Sequence, residues 1–162
     1  MTGTTNSKFR VVICVDDSEH SERAFEFYVK HINKPENHII LMHVAEIGSP
    51  DMPFIGPGAA FAIATLMEQQ FAESKIRVNE IKRHFEVKCD QLKLKHVFVA
   101  LAQSSCAVGE SIVGCARKKE ANFFVMGSRG RGTLRRTFLG SVSDYVLHHS
   151  HLPTLICPPV DD

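Results

Sequence analysis

The residues with the clearest capacity for chemistry form a glycine- and arginine-rich segment between two apolar stretches. Residues 123–126 are apolar, Gly127 ends that run, and residues 127–136 contain three glycines and four arginines. Gly140-Ser141 then opens an amphipathic stretch. Glycines let backbone N–H groups approach a phosphate, and the start of a helix adds unpaired donors and partial positive charge. The segment therefore predicts a site for the phosphates of a nucleotide.

The alternative for this segment is a surface loop whose arginines are solvated. Phosphate binding is favoured because a loop, a helix start and several glycines coincide. A hydrogen bond to a charged group contributes about 1.5 to 3 kcal/mol, but four arginines need not all point inward. Arg129 is the first candidate for a phosphate contact.

Composition limits the classes of partner. The chain of 162 residues is long enough for one domain with a sizeable core, and its net charge of +1 argues against bulk nucleic-acid binding. No apolar run reaches the roughly 18 to 20 residues that span a bilayer, and the first eight residues lack an apolar signal core. Five cysteines without a C-x-x-C pair favour reduced thiols. We expect a cytoplasmic protein without a nucleic-acid partner or membrane anchor.

Hydrophobic periodicity predicts strands that alternate with helices. A disordered tail over residues 1–8 precedes a single domain over 9–160. The first helix begins at Ser18 or Ser21 and ends near residue 33, and its apolar stripe predicts core packing. A second stripe, within residues 59–85, predicts the same for the second helix. The predicted strands cover 9–15, 38–45, 95–102, 123–126 and 153–157, and the later helices 59–85, 109–119 and 140–149.

This order predicts an α/β fold: a single doubly wound, five-stranded parallel sheet with helices on both faces, Rossmann-like in architecture. In such sheets a ligand lies beyond the carboxyl ends of the strands, where the strand order reverses. Three polar features follow strand ends: Asp16-Asp17-Ser18, the loop after Val44, and the glycine–arginine segment. We expect them to converge on one crevice.

Familiar nucleotide and hydrolase motifs are absent from the sequence. No G-x-G-x-x-G follows the first strand, and neither a Walker A, a G-x-S-x-G nor an H-E-x-x-H sequence occurs. His148, His149 and His151 are read as a helix end, where cationic His suits the dipole, rather than as a metal site. His43, inside a strand, is read either as a core histidine or as one that supports a site without touching the ligand. What remains is Gly127-x2-Gly130-x9-Gly140-Ser141, placed after the fourth strand.

That glycine pattern, between a strand ending Val-Met-Gly-Ser-Arg-Gly and a helix reading Gly-Ser-Val-Ser, resembles the universal stress protein family, and within it the ATP-binding branch. Other pieces agree in order: the residues from Val11 to Ser18, Leu41 to Val44, Val108 to Ile112, and His151 to Pro158. The resemblance covers residues 9–160, nearly the whole chain. It implies the adenine-nucleotide alpha-hydrolase-like form of the Rossmann fold.

The resemblance also implies a ligand and roles for single residues. ATP, or ADP or AMP, would bind with Asp16 near the ribose and the backbone of Val44 at the adenine edge. A set of loop and helix-start residues would wrap the ribose and phosphates: Gly127, Gly130, Gly140, Ser141, Val142 and Ser143. It further implies a homodimer through the final strand, residues 153–158. From the residues alone, Asp16 and Asp17 are candidate ligands for a Mg²⁺ ion accompanying the nucleotide.

Two positions depart from the family pattern. Asp17 stands where the family commonly has glycine, and its carboxylate would either repel phosphates or help to hold a metal. Cys106 stands where the family often has glycine before the third helix. That residue puts in doubt the close approach of the backbone to the ligand at this point.

Three functions stay open from the sequence. The leading one is an adenine-nucleotide-binding protein that acts in stress response or signalling through its nucleotide-dependent state, with no catalytic residue. The second is slow Mg²⁺-dependent ATP hydrolysis, which rests on Asp16 and Asp17 alone. The third is a nucleotide-independent dimeric interaction module, against which the intact glycine pattern argues.

Overall fold

The computed structural model describes residues 8–45, 59–102, 107–128 and 139–158. Strands and helices alternate along these residues. The strands are β1 (Arg10–Cys14), β2 (His38–Ala45), β3 (His96–Ala102), β4 (Phe123–Gly127) and β5 (Thr154–Cys157). The helices are α1 (Glu19–His31), α2 (Ala59–Gln91), α3 (Val108–Lys118) and α4 (Ser141–His149).

The five strands form one parallel sheet in the order β3-β2-β1-β4-β5. The chain moves outward from β1 to β3 on one side and then returns to place β4 on the other side of β1. The strand order therefore reverses between β1 and β4, which is where such folds open a crevice. The predicted α/β fold with a doubly wound five-stranded sheet is confirmed.

Two apolar layers bury the sheet. On one face, α1 and the C-terminal part of α2 pack on β1 and β2 through residues such as Phe25, Tyr28 and Phe85. On the other face, α3 and α4 pack through residues such as Ile112 and Val146. The central strands are apolar on both faces because both faces are covered, as a parallel sheet requires.

Helix α1 begins as the sequence predicts. The Ser18 hydroxyl accepts a hydrogen bond from Ser21 N–H at 3.3 Å, and Glu19 and Glu22 lie in the first turn. This side chain satisfies a backbone donor that the helix start leaves unpaired, and the acidic residues suit its partial positive charge. Of the predicted stripe, Ala24, Phe25 and Tyr28 are buried, whereas Ile32 is exposed.

Helix α2 differs from the prediction in its length and in how much of its apolar stripe is buried. It has 33 residues and continues six residues past the predicted end at Phe85. Its predicted core stripe is buried only at Ile81 and Phe85, while Met67 is 39% and Phe71 is 51% exposed. The reason is length: a helix of this size is about 50 Å long, whereas an eight-residue strand such as β2 is about 26 Å long.

The described cysteines, namely Cys14, Cys89, Cys115 and Cys157, are all free thiols. Burial raises the pKa of the Cys14 thiol to about 12, and the nearby Asp16 charge acts in the same direction. Burial also raises the pKa of Cys89 to about 12. These thiols are therefore protonated at neutral pH and pack as small apolar groups.

Within the described parts of the chain, no helix is long and apolar enough to cross a membrane. Even α2, the longest helix, carries charged side chains throughout its C-terminal half. This agrees with the composition, in which no apolar run reaches the length of a bilayer.

We expect Phe85→Ala to lower the free energy of unfolding by about 3 to 5 kcal/mol, because the ring is 1% exposed and its loss leaves a cavity against Phe25. Phe61→Ala on the same helix is the matched control. Its ring is 82% exposed, so a change within about 0.5 kcal/mol is expected. Denaturant unfolding followed by circular dichroism measures both. Equal losses in the two variants would contradict this packing of α2.

Candidate functional site

The strand register brings three predicted site features to one level of the sheet. Cys14 pairs with Met42 on β2, and Ile13 pairs with Val125 on β4. Extending both registers along the chain places Asp16 level with Val44 on one side and with Ser128 on the other. Since β1 ends at Cys14, this level lies just beyond the end of the central strand.

The turn after β1 fixes the carboxylate of Asp16. Its Oδ1 accepts hydrogen bonds from the N–H and the hydroxyl of Ser18, at 2.9 and 2.5 Å. The Ser21 hydroxyl lies 2.9 Å from the Asp16 carbonyl oxygen. All the hydrogen bonds to this carboxylate from described side chains and backbone reach Oδ1. Oδ2 is thus the oxygen that remains for a ligand on a part-buried, pre-oriented group.

Asp17 is directed differently from Asp16. Its Oδ2 lies 3.7 Å from Nε of Arg77, a residue of α2. Both side chains are roughly half exposed, so this ion pair is screened by water. The positive charge of the Arg77 guanidinium nevertheless partly neutralises the Asp17 carboxylate. Repulsion between this carboxylate and a bound phosphate was one of the two expectations from the sequence.

Val44 lies at the end of the hydrogen-bond ladder between β1 and β2. Even-numbered residues of β2 face β1: His38 N–H donates to Phe9 O, and Val15 N–H donates to Met42 O. The alternation of a parallel ladder therefore turns the N–H and C=O of Val44 toward β1, beyond the point where that strand ends. These backbone groups have the position needed to read the edge of a planar base.

His43 supports this strand end from inside the protein. It is buried, and its Nδ1 lies 2.8 Å from the carbonyl oxygen of Val15. Its burial agrees with the prediction of a histidine that lies in the core or supports a site without touching the ligand. The contact ties the end of β1 to β2 directly below the crevice.

Gly127 is required where β4 passes the start of α1. A Cβ added at this position would lie 2.8 Å from Cβ and 2.9 Å from the carbonyl carbon and oxygen of His20. Two of these atoms belong to the backbone and cannot rotate away. The glycine therefore allows the end of β4 and the first turn of α1 to approach each other at the crevice.

The start of α4 is fastened to the end of β4. Gly140 N–H donates to Ser128 O at 2.6 Å, and the Ser143 hydroxyl lies 3.0 Å from the same oxygen and 2.9 Å from Gly140 O. Ser143 is 3% exposed. Its hydroxyl is thus engaged by the protein's own carbonyl groups, and any ligand contact from Ser143 would come from its backbone N–H.

Helix α4 starts without a side-chain cap at Gly140. Its first intrahelical bond runs from Asp144 N–H to Gly140 O at 2.9 Å. The N–H groups of Ser141, Val142 and Ser143 precede that bond, so they have no intrahelical acceptor. An uncapped helix start offers these donors, and its partial positive charge, to an anion.

Three buried side-chain polar atoms of the described residues lack a hydrogen-bond partner, and two of them lie beside Gly127. These two are Ser128 Oγ, on a residue that is 2% exposed, and His20 Nδ1. A buried polar group without a partner costs about 1 to 3 kcal/mol, so such atoms mark places where a ligand or water completes the site. Both residues flank Gly127, where α1 meets β4.

Several predicted features lie outside the described residues: Arg129, Gly130, Cys106 and most of the loop after Val44. The described site residues that the structure brings to one strand edge are Asp16, Val44, Gly127 and the start of α4. Within the described residues, no group of three or more His, Cys, Asp or Glu side chains is arranged to hold a metal ion. His148 and His149 are exposed at the end of α4, where His149 stacks on Tyr145.

A scan against protein-family models matches the universal stress protein family over residues 9–158. This span contains every strand and helix of the residues that the structure describes. The chain belongs to the universal stress protein family.

Similar proteins include universal stress protein MJ0531 of Methanocaldococcus jannaschii, 26% identical over 150 residues that cover 91% of this chain and 80% of that protein. A family protein of Arabidopsis thaliana, solved with AMP bound, is 18% identical with a TM-score of 0.60, covering 91% and 90% of the two chains. A universal stress protein solved in complex with cAMP is 20% identical with a TM-score of 0.63, covering 92% and 96%. At these identities the two structures establish the shared fold.

Three residues around the site were not singled out from the sequence. Ser128 stood inside the glycine motif, and its burial could not be read from its neighbours. His20 and Arg77 are brought in by tertiary contacts, with Gly127 and Asp17 respectively. Only the three-dimensional approach of α1 and α2 to the strand ends reveals them.

We expect Gly127→Ala to lower the free energy of unfolding by about 1 to 3 kcal/mol, because the new methyl group overlaps the His20 backbone. Gly114→Ala is the matched control. A Cβ at Gly114 meets nothing within 4 Å, so alanine in helix α3 should gain up to about 1 kcal/mol. Thermal and urea unfolding measure both changes. A Gly127→Ala variant as stable as the wild type would refute the close approach of β4 and α1.

Proposed function

We propose that this protein binds an adenine nucleotide in the crevice beyond the ends of β2, β1 and β4. The observation that carries the proposal is the coincidence at one level of the sheet of a free ladder end at Val44, an oriented carboxylate at Asp16 and an uncapped helix start at Gly140. The Val44 backbone can donate to and accept from a base, the Asp16 carboxylate can accept from a ribose, and the helix start can donate to a phosphate. The unpartnered Ser128 hydroxyl supports the same crevice.

The proposed ligand runs across the three strand ends. Adenine lies at the backbone of Val44, and Oδ2 of Asp16 accepts hydrogen bonds from ribose hydroxyls. The phosphates lie against Gly127 and the N–H groups at the start of α4, from Ser141 to Ser143. Gly130 and Arg129 complete the phosphate site in this proposal, with Arg129 supplying a charge-assisted hydrogen bond.

Two similar proteins support the choice of an adenine nucleotide. The Arabidopsis thaliana structure has AMP bound, and the other is a complex with cAMP. We propose ATP as the ligand of this chain, with ADP and AMP as weaker alternatives, because the chain retains the complete glycine pattern of the ATP-binding branch. Mg²⁺ would accompany the phosphates, with Asp16 as its nearest carboxylate, since Asp17 is paired with Arg77.

The proposed role is a nucleotide-dependent state in stress response or signalling, in a cytoplasmic protein. Slow Mg²⁺-dependent ATP hydrolysis stays the alternative, and its support is the Asp16–Asp17 pair alone. A homodimer through residues 153–158 is part of the proposal. Strand β5 is at the sheet edge, and its side chains Thr154, Leu155 and Ile156 are half-buried within one chain.

We expect Asp16→Asn to weaken ATP binding about 10- to 150-fold, the equivalent of one hydrogen bond to a charged group. Asp90→Asn is the charge-matched control. Asp90 is exposed next to His96, at the opposite end of the sheet, so its substitution should leave the affinity unchanged. Isothermal titration calorimetry with ATP, ADP and AMP, with and without Mg²⁺, measures these affinities.

Retention of wild-type affinity by Asp16→Asn would remove the ribose contact from the proposal. Absence of binding by all three nucleotides to folded, metal-supplemented protein would overturn the nucleotide function and favour the interaction module. Phosphate release measured in the same samples tests hydrolysis, which should stay at the buffer rate.

A further inference from the structure

The end of the sheet opposite the crevice carries a concentrated positive charge. Because the strands are parallel, the segments that lead into them lie together at this end. The segments that lead into β1, β2, β3 and β4 contain eight Lys or Arg and three Asp or Glu, whereas the whole chain has a net charge of +1. We call the surface formed by these segments the basic pole: residues 8–10, 32–38, 90–97 and 117–122.

Three basic side chains of this pole lie level on adjacent strands. Arg10 of β1 pairs with His38 of β2, and the register between β2 and β3, extended by one residue, places Lys95 beside His38. Level residues of a parallel sheet point to the same face. Burial lowers the pKa of His38. Three neighbouring positive charges lower it further, those of Lys8, Lys95 and Arg10.

Two of these cations have no acidic partner among the described residues. Glu120 pairs with Arg10, and an oxygen of Asp90 lies 3.9 Å from a histidine nitrogen. No ion pair of the described residues includes Lys8 or Lys95, and both are exposed. Helix C-termini attract Lys and Arg, but these two lysines directly precede the segments of β1 and β3, so no helix end accounts for them. The surface is therefore complementary to an anion.

Large apolar side chains are exposed between these charges. Leu92, just past α2, is 53% exposed, and Val97 of β3 is 49% exposed. Phe9, before β1, and Ile32, just past α1, are also exposed. Apolar side chains amid a cluster of Lys and Arg are the pattern by which proteins lie on an anionic bilayer.

We propose that the basic pole docks on an anionic lipid bilayer. The lysines lie among the head groups, while the exposed apolar side chains enter the boundary between head groups and acyl chains. Docking of this kind needs no membrane-spanning helix. It agrees with the proposed cytoplasmic location, because the cytoplasmic leaflet holds anionic lipids.

The breadth and the composition of the pole favour this occupant. Neighbouring strands are about 4.8 Å apart, so four strand starts spread the charges over roughly 15 Å. That is too wide for one phosphate group and suits a plane of many head groups. A nucleic acid offers the same charge through its phosphates, but it has no apolar layer that would take up leucine, isoleucine and valine side chains.

The proposed docking is separate from the nucleotide site. The crevice lies beyond the carboxyl ends of the strands, and the basic pole lies at their amino ends. The five residues of β1 alone separate the two by about 16 Å. A docked protein therefore leaves the crevice open to solvent, and vesicle binding should be the same with and without ATP.

The test is co-sedimentation of the full chain with phosphatidylcholine vesicles and with vesicles that also contain about one third phosphatidylserine. Wild type should bind only the anionic vesicles, and salt raised to about 0.5 M should release it. The double variant Lys8→Glu/Lys95→Glu should lower the partition coefficient at least about 30-fold, since each lysine near the surface favours binding about fivefold.

The double variant Lys75→Glu/Lys82→Glu is the matched control for charge. Both lysines are exposed on α2 outside the basic pole, so the same change in net charge should alter the partition coefficient by less than about threefold. Leu92→Ser should weaken binding about three- to tenfold, because it removes an apolar contact with lipid. Its control is Leu66→Ser, which is 40% exposed near the other end of α2 and should leave binding unchanged.

The melting temperature of each variant separates docking from folding. Substitution of Lys8 and Lys95 removes positive charges that repel their neighbours, so the double variant should melt no lower than the wild type. Equal vesicle binding by the two double variants would contradict the proposal and assign the binding to the arginine-rich segment at the other end of the sheet. Release by ATP would place the bilayer at the crevice and contradict it as well.

Two further probes decide between lipid and other polyanions. A wild-type chain that ignores the anionic vesicles but binds a DNA duplex would overturn the proposal in favour of a nucleic-acid partner. Binding of polyglutamate instead of vesicles would favour an acidic protein. A wild-type chain that binds none of the three would leave the basic pole without a docking function.

Discussion

The early end of the central strand is the constraint on which the site depends. β1 stops at Cys14, while β2, its neighbour, continues to Ala45. The register then leaves the side of Val44 that faces β1 without a strand, although β3 still pairs with Val44 on its other side, and the chain turns at Asp16. Because β4 lies on the other side of β1, the same stop lies beside the junction between β4 and α4. Three residues of β2, from His43 to Ala45, thus extend past the last β1 partner, and polar groups gather at this edge of the sheet.

Packing beneath this crevice keeps its parts in place. Gly127 lets β4 touch the first turn of α1 at His20, and the Ser143 hydroxyl fastens α4 to the carbonyl of Ser128. The donors at the α4 start are therefore held in place by a buried contact. A site whose donors are positioned before the ligand arrives loses less conformational freedom on binding.

The fold was predictable from the sequence because β1, β2 and β4 are continuous apolar runs with clear turn signals. The site was predictable only in part. Strand ends and the glycine pattern indicated Asp16, Val44 and Gly140 as candidates, and these lie at one edge of the sheet. The pairing of Asp17 with Arg77, by contrast, joins residues far apart in the chain. The core stripe predicted for α2 is longer than the part that is buried. Periodicity shows which face of a helix is apolar, but it does not show how much of that face the neighbouring elements cover. Met67 and Phe71 share a face with Phe85 yet lie beyond the sheet.

Helix α2 is linked to the site as well as to the core. Arg77 pairs with Asp17 at the crevice, while Glu22 of α1 contacts both His84 and Lys88 of α2. These ion pairs are partly exposed, so each stabilises the protein by no more than about 1 kcal/mol. Their position matters more than their strength, because the ion pair of Arg77 with Asp17 connects α2 to the turn that follows β1 and contains Asp16.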